Sequence, residues 1–330
     1  MAVQRDASIL QPADVRWVVA QASRAPSVHN TQPWRFRWDG RWFALTADSG
    51  RVLKVNDPEG RELVMSCGAA LYNLRLALRK LGLSSHVETL PRSHPQTLAL
   101  VEVVSGRPAD VEERRLFAAL ARRHTHRTPF ADRPITAELA VQLQEAAAEE
   151  SARLFYVSDP GQRARILHLA RTAERVLGGD PESQAEIAAW TAPPGSPRRD
   201  GVPALAYQQD MTANADALAA RNFDLGRGWG QLHGVPDAGP VAVLATDGDN
   251  AGSWLAAGQA LERVLVTAAE RSAYAALHSQ AVEVPHIRSE IQRELCTSAV
   301  PQLLMRIGYA GDGTVTPRRP VEDVLEIRLP

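Results

Sequence analysis

Two segments of this 330-residue chain, Arg61 to Leu81 and Ser253 to Ala276, have the length and apolar periodicity of central helices, and they resemble each other. Displaced by 190 residues, Gly68 falls on Gly258, Ala70 on Ala260, Leu71 on Leu261 and Leu74 on Val264. The glycine keeps its place relative to the same apolar face. In each half an earlier helix leads to a strand, and the long helix is followed by another strand. A diverged tandem repeat accounts for this order; shared small and apolar residues in any two buried helices account for the residue matches alone.

Pro12 to Ala25 has helical spacing in Val15, Val18, Val19 and Ala22, with a proline at its first turn. Trp34 to Trp38 and Trp42 to Ala47, joined by Asp39-Gly40-Arg41, read as a hairpin. His86 to Leu90 and Thr97 to Val104 read as strands after the first long helix, which Gly82 stops. Helices are expected over Val111 to Arg123, Thr136 to Glu150 and Gly161 to Leu177, with strands at Leu154 to Val157, Val241 to Thr246 and Leu303 to Ile307. Trp190 to Pro240 reads as a long irregular excursion with a short helix near Met211 to Ala220, and such excursions are usually lids, binding loops or disorder.

Apolar residues at 45% and charged residues at 23% fit an ordinary globular protein rather than a disordered, collagenous or coiled-coil chain. The formal charge of −1 leaves no overall basic field for nucleic acid or an anionic membrane, so any anion has to be bound locally. Cys67 and Cys296 are too few for a disulfide framework, and no apolar run reaches membrane-spanning length. A reducing cytoplasm is the expected compartment. Lys54 and Lys80 are the only lysines among 37 basic residues, a bias that coding preference explains as readily as phosphate binding.

Three segments carry chemistry. In Pro26-Ser27-Val28-His29-Asn30-Thr31-Gln32-Pro33-Trp34 the prolines keep the chain extended, and Ser27, Asn30, Thr31 and Gln32 offer donors and acceptors suited to the edge of a planar heterocycle. The same groups also suit local Asx and Ser turns. In Arg122-Arg123-His124-Thr125-His126-Arg127, each guanidinium suits a phosphate, and equally the end of a helix. His124 and His126 lack further ligands at metal spacing. Pro317-Arg318-Arg319-Pro320 makes a stiff cationic corner, or a solvated tail. Asp247 begins a calcium-like loop whose twelfth position is Gly258 instead of Glu, and Gly226 to Gln231 breaks the dinucleotide-binding glycine spacing.

Taken in order, Pro-Ser-x-x-Asn-x-Gln-Pro-Trp, Arg-x-Thr-x-Arg and Pro-Arg-Arg-Pro resemble the FMN-binding nitroreductase family and its tandem, Acg-like branch. The resemblance spans most of the chain. It implies an α+β nitroreductase-like fold of two diverged tandem repeats, 1–110 and 111–330, forming an intramolecular pseudo-dimer around a mixed sheet core. It also implies that Pro26, Ser27, Asn30 and Gln32 lie against the flavin ring. Arg123, His124, Thr125 and Arg127 match the arm on the FMN phosphate and ribityl chain, and Arg318 and Arg319 the basic C-terminal motif near the phosphate. The first half has the ring loop without the arm, the second the arm without the ring loop. One complete flavin site per chain follows, with its pseudo-symmetric counterpart degenerate and no partner chain required.

The expected activity is electron transfer from NADH or NADPH through FMN to a nitroaromatic, quinone-like or other small acceptor, with no catalytic side chain assigned. The rival is an FMN-sequestering protein whose flavin is covered by a lid, placed at Trp190 to Pro240. The aromatic residues there, Trp190, Tyr207, Phe223 and Trp229, are expected to lie over something apolar.

Overall fold

The computed structural model describes residues 10–207, 218, 220–230, 240–295, 297–311 and 313–329. In chain order the first half contains α1 (Pro12–Ala22), β1 (Trp34–Trp38), β2 (Trp42–Ala47), α2 (Arg61–Lys80), β3 (Leu83–Thr89) and β4 (Thr97–Ser105), and α3 (Val111–Ala119) opens the second. There follow α4 (Ala137–Ala148), β5 (Arg153–Tyr156), α5 (Pro160–Gly178), α6 (Pro181–Ala189), β6 (Thr191–Ala192) and β7 (Val202–Pro203). It continues with β8 (Val241–Thr246), α7 (Ala251–Glu270), β9 (Ala273–His278), α8 (Gln280–Glu283), α9 (Pro285–Glu294), β10 (Val300–Tyr309) and β11 (Leu325–Ile327).

The two halves repeat one topology. The first sheet runs β1-β2-β4-β3 and the second β5-β8-β10-β9, with every pair in both series antiparallel. Both have a register shift at the same joint, Leu45/Thr46 on β2 and Pro301/Leu303 on β10. Helix α1 thus corresponds to α4, and α2 to α7. The last strand, β11, leaves the second half and pairs parallel with β1, making the first sheet mixed. Behind α3 the chain meets β9: His126 N donates to Ala275 O at 2.9 Å, and Thr125 bridges Ala275 in parallel.

Local chemistry explains the elements. In β1, Trp34, Phe36 and Trp38 alternate onto the buried face while Arg35 and Arg37 face out. The turn to β2 is closed by Asp39 Oδ1, which accepts from the Arg41 and Trp42 amides, with Gly40 at φ 103°. Helix α2 is buried on almost every side, as expected of a helix packed between the first sheet and α7. Gly60 precedes it at φ 72°, and Asp57 accepts from Glu62 N and Leu63 N in place of a cap. Among the described residues no helix is long and apolar enough to cross a membrane.

Several boundaries differ from the sequence reading. The second long helix ends at Glu270; Ser272 takes φ 58°, and Ala273-Tyr-Ala-Ala-Leu-His becomes β9. That alanine-rich stretch reads as helix, and its pairing with β10 overrides the local preference. Helices α6, α8 and α9 and strand β11 were not anticipated. The large insertion starts at 157 rather than 190: β5 and β8 are adjacent strands, so residues 157–240 stand where Asp39-Gly40-Arg41 stands in the first half. Met211 to 217, the body of the expected short helix, lies outside the described residues.

Candidate functional site

The loop after α1 holds three residues other than glycine in the left-handed region, His29 (φ 46°), Asn30 (φ 56°) and Gln32 (φ 50°). Such backbone costs of the order of 1 kcal/mol or more per residue and persists only where neighbours over-determine it. Gln32 N donates to Ser27 Oγ at 3.0 Å, and Val28 N to Ser66 Oγ at 3.2 Å. Asn30 Nδ2 donates to Gly201 O (2.9 Å) and Pro317 O (3.2 Å), and Gln32 Nε2 to Arg199 O (2.8 Å). Arg319 N donates to Gln32 Oε1 at 2.7 Å. Arg318 reaches Ser23 O, Arg24 O, Ala25 O and Asn30 Oδ1, at 2.8 to 3.2 Å. Burial lowers its pKa to about 9. Asn30, Gln32, Arg318 and Arg319 therefore bond to protein and to one another, behind the loop.

The basic arm divides in the same way. Arg123 is buried; Nη2 donates to Arg24 O at 2.8 Å, and Nε lies 3.3 Å from Glu262 Oε1 on α7. Glu262 also accepts from Asn73 Nδ2 of α2 at 2.8 Å, and burial raises its pKa to about 7. His124 packs against Tyr274 with ring centroids 4.2 Å apart and the planes tilted by 33°. Thr125 and Arg127 extend beyond this anchor to a cavity.

That cavity, about 1050 Å³ including space open to solvent, lies between the halves. The first half supplies Pro26 to His29 and the α2 residues Glu62, Met65, Ser66 and Ala69. The arm supplies Thr125 to Arg127, and β9 and β10 supply Ala276 to His278, Gln302, Leu303 and Arg306. Tyr207, Ala220, Arg221 and Phe223 come from the 157–240 insertion; Ser279 and Gln280 come from the connection that carries α8 and α9. A second cavity of about 330 Å³ shares Thr125, His126, Arg127 and Tyr207.

Of the residues singled out from sequence, Pro26, Ser27, Thr125 and Arg127 meet in the main cavity wall. Asn30, Gln32, Arg123, Arg318 and Arg319 do not line it; His124 lines only the smaller one. Of the insertion aromatics, Tyr207 and Phe223 line the main cavity. Trp190 instead lies under Arg51 and Arg198, and Trp229 under Arg227. Within the expected lid at Trp190 to Pro240, the stretch Pro193 to Gly201 packs on Asn30 and Gln32 through Arg199 O and Gly201 O.

The electrostatics favour an anionic ligand rich in heteroatoms. Arg127 makes no hydrogen bond to a described residue, lies 5.9 Å over the Phe223 ring, and has its pKa lowered to about 10 by burial. Arg221 is paired with Glu283, but its Nη1 is buried without a partner among the described residues. Both ring nitrogens of His29 are likewise buried and unpartnered; burial, then Arg221 and Arg127, hold its pKa well below the ordinary value. Sequence reasoning passed over His29, Glu62, Arg221 and Arg306. His29 is within a recognised motif, but nothing in the sequence marks the others.

The pseudo-symmetric position is built differently. There the first turns of α7 meet the β3–β4 turn, with Leu90 against Gly252 and Trp254 packed into both cores. The two connections that enlarge the second half, 157–240 and 279–299, each contribute described residues to the main cavity. Among the described residues no cluster of His, Cys, Asp and Glu is suited to a metal ion.

No protein-family model matches the chain. It is 30% identical over 327 residues to the Mycobacterium tuberculosis protein "Putative NAD(P)H nitroreductase acg", covering 95% of this chain and 96% of that one. A second M. tuberculosis protein described in the same words is 31% identical, with 94% and 91% covered. A nitroreductase with bound FMN from Desulfitobacterium hafniense aligns with a TM-score of 0.40 and 14% identity, over 63% of this chain and 95% of that one.

Proposed function

Since the chain belongs to the Acg-like branch of the nitroreductase family, we propose that it binds one FMN in the inter-repeat cavity and passes electrons from NADH or NADPH to a small acceptor. The observation that carries this reading is Arg127, a half-buried cavity-lining guanidinium with no hydrogen-bond acceptor among the described residues, opposite a loop contributed by the other repeat. Arg127 would hold the FMN phosphate, for which a guanidinium is a suitable donor. The apolar wall of Val28, Met65, Ala69, Leu261 and Leu303 suits a flavin ring, and Ser27 and Thr125 supply hydroxyls at its edge.

The two half-units, divided near residue 110, each give part of this site. Pro26, Ser27, Thr125 and Arg127 touch the cofactor. Asn30, Gln32, Arg318 and Arg319 hold the ring loop from behind, and Arg123 and His124 anchor the arm. Bound FMN supplies the hydride and electron chemistry; the chain binds it, orients it and limits access of water. The site is complete within one chain and needs no membrane or nucleic acid. Nitroaromatics and quinones are the acceptor classes proposed, since their planar apolar rings suit the apolar wall.

A second reading is sequestration, favoured by Tyr207 and Phe223, which close the cavity against His29 with the Phe223 ring edge-on at 5.3 Å. Anaerobic NADPH added to the FMN-loaded protein separates the two: bleaching supports the oxidoreductase, and a yellow protein that stays oxidised supports storage.

A further inference from the structure

Behind the cavity wall lies a cluster of charged side chains in which acids outnumber bases, and Glu62 is the acid that reaches the cavity. Glu62 lines the cavity and is 6% exposed. Its Oε1 accepts from Arg61 Nη2 at 2.7 Å, while Asp57 lies beneath it on the Glu62 and Leu63 amides. From α8, Glu283 faces the same cluster; it accepts from Ser279 Oγ at 2.7 Å and from Arg221, and its Oε2 is buried without a partner among the described residues. From α5, Glu174 adds a fourth carboxyl near Arg221. Four carboxyls thus share two guanidiniums, an arrangement that opposes ionisation of the most buried of them.

We propose that Glu62 is the general acid of this cavity, the residue that donates a proton to an oxygen of the bound acceptor. The inference rests on the oxidoreductase reading above and adds a catalytic side chain to it. Reduction of a quinone to a hydroquinone consumes two electrons and two protons. A hydride from NAD(P)H accounts for both electrons and one proton; Glu62 supplies the second, becomes a carboxylate, and regains its proton from water. Burial and the neighbouring Glu283 raise the Glu62 pKa to about 8, against the opposing pull of Arg61, so the carboxyl is available as an acid at neutral pH. Burial also raises Asp57, to about 6, and Glu174. Of these acids, Glu62 alone lines the cavity. His29, the other titratable group from the first half in that wall, is held neutral and carries no proton in excess.

Two measurements on the full chain test this. In the infrared difference spectrum of the ligand-free protein between pH 6 and pH 10, a buried carboxylic acid should titrate near pH 8; the band should vanish in Glu62→Gln and persist, displaced, in Glu62→Asp. With FMN and NADPH bound and 1,4-benzoquinone as acceptor, the rate should fall above about pH 8. Glu62→Gln should lower it by about a hundred-fold at pH 7 and abolish that alkaline limb, and Glu62→Asp should restore the limb. Absence of the infrared band, or an alkaline limb that survives in Glu62→Gln, overturns the proposal. Flavin bleaching by NADPH in the unaltered protein is the control: bleaching without these Glu62 effects defeats the general acid alone, whereas failure to bleach defeats the oxidoreductase reading and the acid's role with it.

Discussion

Gly68 and Gly258 face each other reciprocally: a Cβ on Gly68 would overlap the Leu255 carbonyl, and a Cβ on Gly258 would overlap the Met65 carbonyl. Leu255 precedes Gly258 by three residues, as Met65 precedes Gly68. This is the signature of an isologous contact, here between two halves of one chain. The pseudo-two-fold relation brings α2 and α7 close enough for the cavity to be walled by both.

Gly68→Ala and Gly258→Ala are each expected to destabilise the fold by about 1–3 kcal/mol, because the added methyl meets backbone that cannot rotate away. The double variant should depart from additivity, since both changes push the same pair of helices apart. Urea unfolding of the four proteins reads this directly; an unchanged midpoint in either single variant contradicts the close helix contact.

Arg127 and Arg123 should fail differently. Arg127→Ala removes a cavity-facing charge, and FMN affinity should fall by about 1.5–3 kcal/mol with little change in stability. Arg123→Ala removes the cation beside fully buried Glu262, and the unfolding free energy should fall by about 3–5 kcal/mol. Fluorescence titration with FMN and urea unfolding, applied to both variants, would show the two effects reversed if Arg123 were the cavity residue.

Stability should decline as pH rises through neutrality. Asp57, Glu262 and Glu62 have native pKa values raised to about 6, 7 and 8, above those of the unfolded chain, so the folded state holds more protons between about pH 4 and 8. Their contribution is fully present at pH values below the unfolded pKa and is lost as pH rises through the folded values. The urea midpoint should be higher at pH 6 than at pH 8.5, by about 1 kcal/mol or more in free energy. Glu62→Gln should flatten part of the slope; a midpoint that rises with pH contradicts the protonated cluster.

The repeat was legible because its carriers are local: a helical period, a glycine in register and a Trp-rich hairpin mark themselves in sequence. The same holds for the two motif segments that meet in the cavity. What was not legible depends on tertiary pairing. Ala273 to His278 becomes a strand because β10 lies beside it, and residues 157–240 form one insertion because β5 and β8 are neighbours, which no local pattern states. The division of labour within the motifs was hidden for the same reason. Arg123 and Arg127 are alike in sequence, and only the position of Glu262, far along the chain, draws one of them into the core. Glu62 sits in an unremarkable first helical turn until Glu283 and Arg221 fold against it.

The central claim is one FMN per chain, held between the repeats. Reconstitution of the purified protein with excess FMN, removal of free flavin, and measurement of flavin absorbance against protein concentration test it most directly. The account predicts one FMN per chain in the unaltered protein and weakened retention in Arg127→Ala. Two flavins per chain, FAD in place of FMN, or no retained flavin would contradict it.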